Sequence, residues 1–98
     1  MNIQLSGQNV EITEALRQYA EEKLQKLLKH SDKITNIAIV FHIDKLKQIA
    51  EGQVALPQKN VLHACAESEN MYETVDKLVD KLVRQVTKYK EKHSNHHE

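Results

Sequence analysis

The chain has 98 residues, with 14 Lys+Arg against 14 Asp+Glu, 40% hydrophobic and 29% charged residues, so one soluble globular domain with its own core is expected. Two glycines and one proline exclude collagen-like, linker-rich and glycine-rich phosphate-loop designs, and no run approaches the roughly 18 apolar residues of a membrane helix. The opening MNIQLSGQNVEITEAL has neither the basic nor the apolar segment of a signal peptide, and the single Cys65 lacks an internal disulfide partner, which together point to a reducing, cytoplasmic setting.

Asn2–Ser6 alternates, with Ile3 and Leu5 on one side, and reads as a short strand closed by Gly7. Thr13 is placed as an N-cap with Glu14 in the first turn; Leu16, Ala20, Leu24, Leu27 and Leu28 then recur at helical spacing over about 14–30. Ile34–Ile43 alternates and is dense in β-branched residues, with Ile37, Ile39, Phe41 and Ile43 on one side and Asn36, Ala38, Val40 and His42 on the other. A strand over about 48–56 is interrupted by Glu51 and Gly52; Pro57-Gln58-Lys59-Asn60 has turn composition, and Val61–Glu67 resumes as a strand. From about Asn70 to Lys92 runs a long helix without a breaker. His93 to Glu98 reads as a disordered, His-rich tail, leaving residues 1–92 as the single domain.

The order is β-α-β-β-β-α. A four-stranded sheet with two helices packed on one face satisfies both the helices and the sheet. Ile3, Leu5, Ile37, Ile39, Phe41, Val54, Leu56 and Leu62 then form the covered side, while Asn2, Gln4, His42, Gln53 and His63 face solvent.

The neutral total hides a division. Residues 1–76 carry 8 basic and 11 acidic side chains, whereas residues 77–98 carry 6 basic and 3 acidic ones. On the last helix Met71, Tyr72, Val75, Leu78, Val79, Leu82, Val83, Val86 and Tyr89 fall within roughly 80° of one direction. Lys77, Lys81, Arg84, Lys88 and Lys92 fall together on the opposite side, a ridge of about 22 Å at 1.5 Å per residue. A solvated face with cations drawn to the negative end of the helix dipole explains Lys88, Lys90 and Lys92. It does not explain why acids avoid the ridge, where like charges repel by a few tenths of a kcal/mol per pair. A polyanion partner would relieve that repulsion, and both readings stay open at this level. On the first helix Lys26, Lys29 and Lys33 share one side and Lys23 sits at the stripe's edge, but Glu22 falls among them.

Phe41 on the buried strand side, Tyr19, Tyr72 and Tyr89 are the four aromatics, so no sheet of base-stacking rings is available. What remains is a binder of phosphate backbone and RNA shape. His63 and Cys65 share a strand side, but no orienting group or oxyanion donor accompanies them; Cys65 is read as a core or half-buried, poorly reactive thiol. His93, His96 and His97 lack the fixed geometry of a metal site, and the paired carboxylates Glu21-Glu22 and Asp76/Asp80 read as solvated surface. No enzyme, cofactor or metal site is expected.

At these same residues the chain resembles the short bacterial ribosome hibernation promoting factors, related to the ribosome-associated translation inhibitors. Asn9-Val-Glu-Ile-Thr-Glu-Ala-Leu-Arg17 looks like the family's amino-terminal segment. His63-Ala64, Ala66-Glu67 and Met71-Tyr72 match its fourth strand and the entry to its last helix; Asp80-Lys81-Leu82, Arg84-Gln85 and Thr87-Lys88 match its basic helix. The resemblance implies a β-α-β-β-β-α fold similar to double-stranded RNA-binding domains. It implies binding to the 30S subunit, and to 70S and paired 100S ribosomes, in the channel of tRNA and mRNA. Lys77, Lys81, Arg84, Lys88 and Lys92 are carried over as 16S rRNA contacts, with Lys23, Lys26 and Lys29 beside them. Translation would be silenced in stationary phase or stress, without DNA, membrane or small-molecule substrate, by a protein that is monomeric when free. The end at Glu98 leaves no room for the dimerisation domain of the long forms or the longer tail of the inhibitor type, which favours the promoting subtype. The rival expectation is a protein-interaction module that uses Gln4, His42 and Gln53 of the open sheet side to modulate a transcription (sigma) factor.

Overall fold

The computed structural model describes residues 2–31 and 33–94. The elements are β1 (Asn2–Gln8), α1 (Glu14–His30), β2 (Asn36–Asp44), β3 (Lys47–Leu56), β4 (Asn60–Ser68) and α2 (Met71–Ser94). One sheet holds the strands in the order β1-β2-β3-β4, with β1 parallel to β2 and the other two pairs antiparallel. The parallel pair follows from connectivity: a helical crossover joins β1 to β2, whereas tight turns join the later strands. Both helices run against β1, β2 and β4, and are therefore parallel to each other. The expected α+β architecture, two helices over one face of a four-stranded sheet, is the one observed.

Local chemistry sets the boundaries. Thr13 Oγ1 accepts from the Leu16 amide at 3.1 Å and starts α1 where its N-cap was placed. Asn70 Oδ1 accepts from the Tyr72 amide at 2.8 Å and does the same for α2. β1 runs past Gly7 to Gln8; a Cβ at Gly7 would run into the Val10 carbonyl, so glycine marks where the chain folds back, not where pairing stops. Glu51 and Gly52 do not interrupt β3. A Cβ at Gly52 would lie 3.3 Å from both Leu78 and Leu82, so its bare backbone lets α2 approach the sheet. The α2 backbone continues to Ser94, two residues into the segment read as a tail; residues 95–98 lie outside the described residues.

Leu16, Ala20, Leu24 and Leu27 of α1 and Val75, Leu78, Val79, Leu82 and Val86 of α2 close over Ile37, Ile39, Phe41, Val54 and Leu56. Burying each larger side chain stabilises the fold by about 1.5–3 kcal/mol. Ile3, Leu5 and Leu62 pack at the margin of this cluster. Ile43, assigned to the same side by alternation, is 49% exposed, because it stands at the β2–β3 turn beyond the main core. Thr74 is fully buried, and its hydroxyl donates to the Gln48 carbonyl at 2.7 Å, which satisfies the group and fastens the start of α2 to β3.

Candidate nucleic-acid interface

The outer edge of β4 and the adjacent flank of α2 are joined by a row of side chains. Lys77 Nζ donates to the Glu67 carbonyl at 3.4 Å, Lys81 Nζ to the Cys65 carbonyl at 2.6 Å, and Gln85 Nε2 to the His63 carbonyl at 2.5 Å. The row keeps register because four residues of helix advance about 6 Å and two residues of antiparallel strand about 6.8 Å, in opposite chain directions. It fills the acceptor positions through which an edge strand would recruit another strand. Lys77 also lies 3.7 Å from the Glu73 carboxylate.

All five ridge cations, Lys77, Lys81, Arg84, Lys88 and Lys92, are exposed on one side of α2, but they are not equivalent. Lys77 and Lys81 hold the strand edge, each with further N–H donors on its ammonium group, which Lys77 shares with Glu73. Arg84, Lys88 and Lys92 have no partner among the described residues. Gln85 is the member that charge counting missed; its only signal in the sequence is its position four residues after Lys81.

The opposite flank of α2 faces α1. The Tyr19 hydroxyl donates to the Asp76 carboxylate, 2.8 Å and 3.0 Å from its two oxygens, and Lys23 Nζ lies 3.6 Å from Asp76 Oδ1. Lys23 also sits 5.3 Å from the centre of the Tyr19 ring, which meets Tyr72 edge to face at 5.1 Å. The hydrogen bond to Asp76 pushes the Tyr19 phenol above its usual 10.0, with burial and the carboxylate charge acting in the same direction and Lys23 opposing. Tyr72, assigned to the buried stripe, is 39% exposed, because it packs on Tyr19 at the flank rather than beneath the helix. Lys23 therefore belongs to a helix–helix clasp. Lys26 and Lys29 are exposed and, among the described residues, without a partner.

Because the helices are parallel, Lys26 and Lys29 of α1 and Arg84, Lys88 and Lys92 of α2 all lie toward the same end of the helical layer. Glu14, Glu69 and Glu73 gather at the other end. The sequence-derived site thus separates into an outward cationic end, a strand-holding pair and one clasped lysine.

Among the described residues the sheet's open face carries no Phe, Tyr or Trp ring; Phe41 is fully buried beneath the helices. A shallow concavity of about 490 Å³ there is lined by Ala38, Val40, Glu51, Gln53, His63 and Cys65. Cys65 is exposed, correcting its reading as a core or half-buried thiol, since the odd-numbered residues of β4 point away from the helices. His42 Nε2 lies 3.4 Å from the Glu51 carboxylate, and Lys47 Nζ 3.4 Å from that of Glu67. Among the described residues no group of three His, Cys, Asp or Glu side chains is placed to hold a metal ion, and no helix is long and apolar enough to cross a membrane. His96 and His97 lie outside the described residues.

Comparison with known proteins adds family context. The sequence profile described as "Sigma 54 modulation protein / S30EA ribosomal protein" matches residues 3–94. The ribosome hibernation promoting factor of Pseudomonas putida KT2440 is 44% identical over 92 residues, covering 94% of this chain and 89% of that protein. That of Escherichia coli K12 is 38% identical over 96 residues, covering 98% of this chain and all of the relative. Among solved structures, a ribosomal subunit interface protein from Coxiella burnetii superposes with a TM-score of 0.87 at 49% identity, over 92% of this chain and 98% of that one. The N-terminal domain of Thermus thermophilus Protein Y gives 0.81 at 36% identity, over 91% and 99%.

Proposed function

This chain belongs to the Sigma 54 modulation protein / S30EA ribosomal protein family, and on that premise we propose that it is a ribosome hibernation factor. It binds the 30S subunit in the tRNA and mRNA channel through 16S rRNA, silences translation in stationary phase or stress, and promotes inactive paired ribosomes. Residues 2–94 act as one rRNA-binding unit, free in the cytoplasm as a monomer, that reads phosphate backbone and RNA shape in the manner of double-stranded RNA-binding domains. The action is stoichiometric: occupancy of the channel excludes mRNA and tRNA, and no bond is made or broken.

The observation that carries this reading is the outward cationic end of the helical layer. Arg84, Lys88 and Lys92 project from α2, and Lys26 and Lys29 from α1, with no internal partner among the described residues. Neutralising five to eight phosphates makes log affinity fall by about 0.7–0.9 per phosphate with log salt. The test is pelleting with 30S subunits: the Lys81→Ala/Arg84→Ala/Lys88→Ala variant is expected in the supernatant, and co-pelleting as strong as the wild type refutes the reading.

A second reading rests on the open sheet face, whose 490 Å³ concavity suits contact with a protein surface, for instance on a sigma factor. It predicts weak salt dependence and sensitivity to substitutions at Gln4, His42 or Gln53. Sedimentation of a stationary-phase extract separates the two, since only the first places the protein with ribosomal particles.

A further inference from the structure

Between the outer edge of β4 and α2 lies an open cleft of about 380 Å³, lined by Cys65, Ala66, Glu67, Lys77 and Lys81. In an antiparallel strand the N–H and C=O of a given residue point the same way, alternately toward and away from the neighbouring strand. The carbonyls of His63, Cys65 and Glu67 are the ones that meet Gln85, Lys81 and Lys77, so these three residues turn their main chain outward. By the same alternation their N–H groups point to the outer edge, those of Cys65 and Glu67 into the cleft. The ladder to β3 gives them no acceptor, and the α2 side chains reach this edge through donor atoms, Lys77 Nζ, Lys81 Nζ and Gln85 Nε2.

The consequence is an edge of one polarity. Its acceptors are occupied from α2, its donors are left open, and two ammonium groups stand over them. The Glu67 carboxylate turns to the sheet's open face and meets Lys47 at 3.4 Å; Glu73, 3.7 Å from Lys77, offsets part of that ammonium's charge and leaves that of Lys81 whole.

We propose that this cleft seats the phosphodiester backbone of a single RNA strand, with phosphate oxygens accepting from the N–H groups of Cys65 and Glu67 and from the ammonium groups of Lys81 and Lys77. Main-chain N–H groups beside lysines form a fixed donor array for a phosphate, and their contacts position RNA without reading bases. The repeat of about 6–7 Å shared by helix and strand lets successive phosphates meet successive N–H and lysine pairs. Gln85 extends the row by holding the His63 carbonyl, so it acts as a positioning residue. The proposal rests on the rRNA-binding reading and assigns main-chain contacts to a ridge that charge alone would treat as a row of side chains.

The experiment is an NMR titration of the ¹⁵N-labelled full chain with an eight-nucleotide oligouridylate. Saturable shifts of the Cys65 and Glu67 amides are expected, and about tenfold weaker binding in Lys77→Gln/Lys81→Gln. Inorganic phosphate should move the same amides only at concentrations at least about tenfold higher, which separates a strand from a free anion. Cys65→Pro removes one outward N–H without touching the ladder, a change edge strands tolerate, and should weaken oligonucleotide binding while Cys65→Ala does not. Unmoved Cys65 and Glu67 amides, with Arg84 and Lys88 signals shifting, overturn the seat; so does phosphate matching the oligonucleotide. Pelleting with 30S subunits is scored separately, so loss of the seat with ribosome binding intact leaves the functional reading standing.

Discussion

The two flanks of α2 carry charges at similar helical spacing and use them differently. Toward α1, Asp76 meets both Tyr19 and Lys23, so the charge is spent inside the protein on holding two helices together. Toward β4, Lys81 meets only a neutral carbonyl and its ammonium charge is not cancelled there; Lys77 meets the Glu67 carbonyl and, at 3.7 Å, the Glu73 carboxylate, while Arg84 and Lys88 continue the row with no partner among the described residues. A lysine on a helix becomes a binding residue when what it touches leaves its charge over. By that criterion we propose that Lys23 lies outside the interface and Lys77, which shares its charge with Glu73, at its margin, while Lys81 keeps a double role.

Both flanks depend on how closely α2 lies on the sheet, so the largest effect should come from beneath them. Gly52→Val pushes against Leu78 and Leu82, already 3.3 Å from a single added Cβ. A loss of about 1–3 kcal/mol in urea unfolding is expected, with the Lys81 and Gln85 tethers disturbed together. Unchanged stability would mean that the close approach at Gly52 is not a constraint.

Asp76→Ala strips the clasp and should cost about 1 kcal/mol, because the hydroxyl and ammonium it leaves behind remain partly solvated. Its 30S binding should match that of the wild type; a fall in affinity at equal stability would put the α1 flank in the interface.

The smallest effect concerns pH. The Tyr19 phenol is raised above 10.0 chiefly by its bond to Asp76, so the folded chain holds that proton more tightly than the unfolded one. Its contribution is complete below the unfolded value and is lost as pH rises through the folded one. Urea midpoints compared below and above pH 10.0 should fall less in Tyr19→Phe than in the wild type, and equal slopes would remove the phenol from the alkaline response.

Much of this was legible from local pattern. Thr13 and the leucine spacing bounded α1, the alternation of Ile37, Ile39 and Phe41 gave the covered side of the sheet, and the angular sort of α2 put five cations on one side. Those signals repeat within four residues, the range over which sequence maps directly onto a face. What escaped it depends on partners far along the chain. Tyr19 and Asp76 are 57 residues apart, Gln85 and His63 are 22, and Thr74 and Gln48 are 26. Gly52 looked like a strand breaker because its reason, the two leucines above it, sits on another element. Cys65 reads as core or half-buried from its residue type, although its shared strand side with the solvent-facing His63 already points it outward, where the structure has it.

The central claim, that unpaired charge marks the interface, is tested most directly by pelleting Arg84→Ala/Lys88→Ala beside Lys23→Ala with 30S subunits over a salt series. The double variant should bind at least about tenfold more weakly, with its salt slope lowered by about 1.5–2, and keep wild-type stability; Lys23→Ala should track the wild type in affinity and slope. Equal losses in both proteins, or a loss confined to Lys23→Ala, would contradict the account.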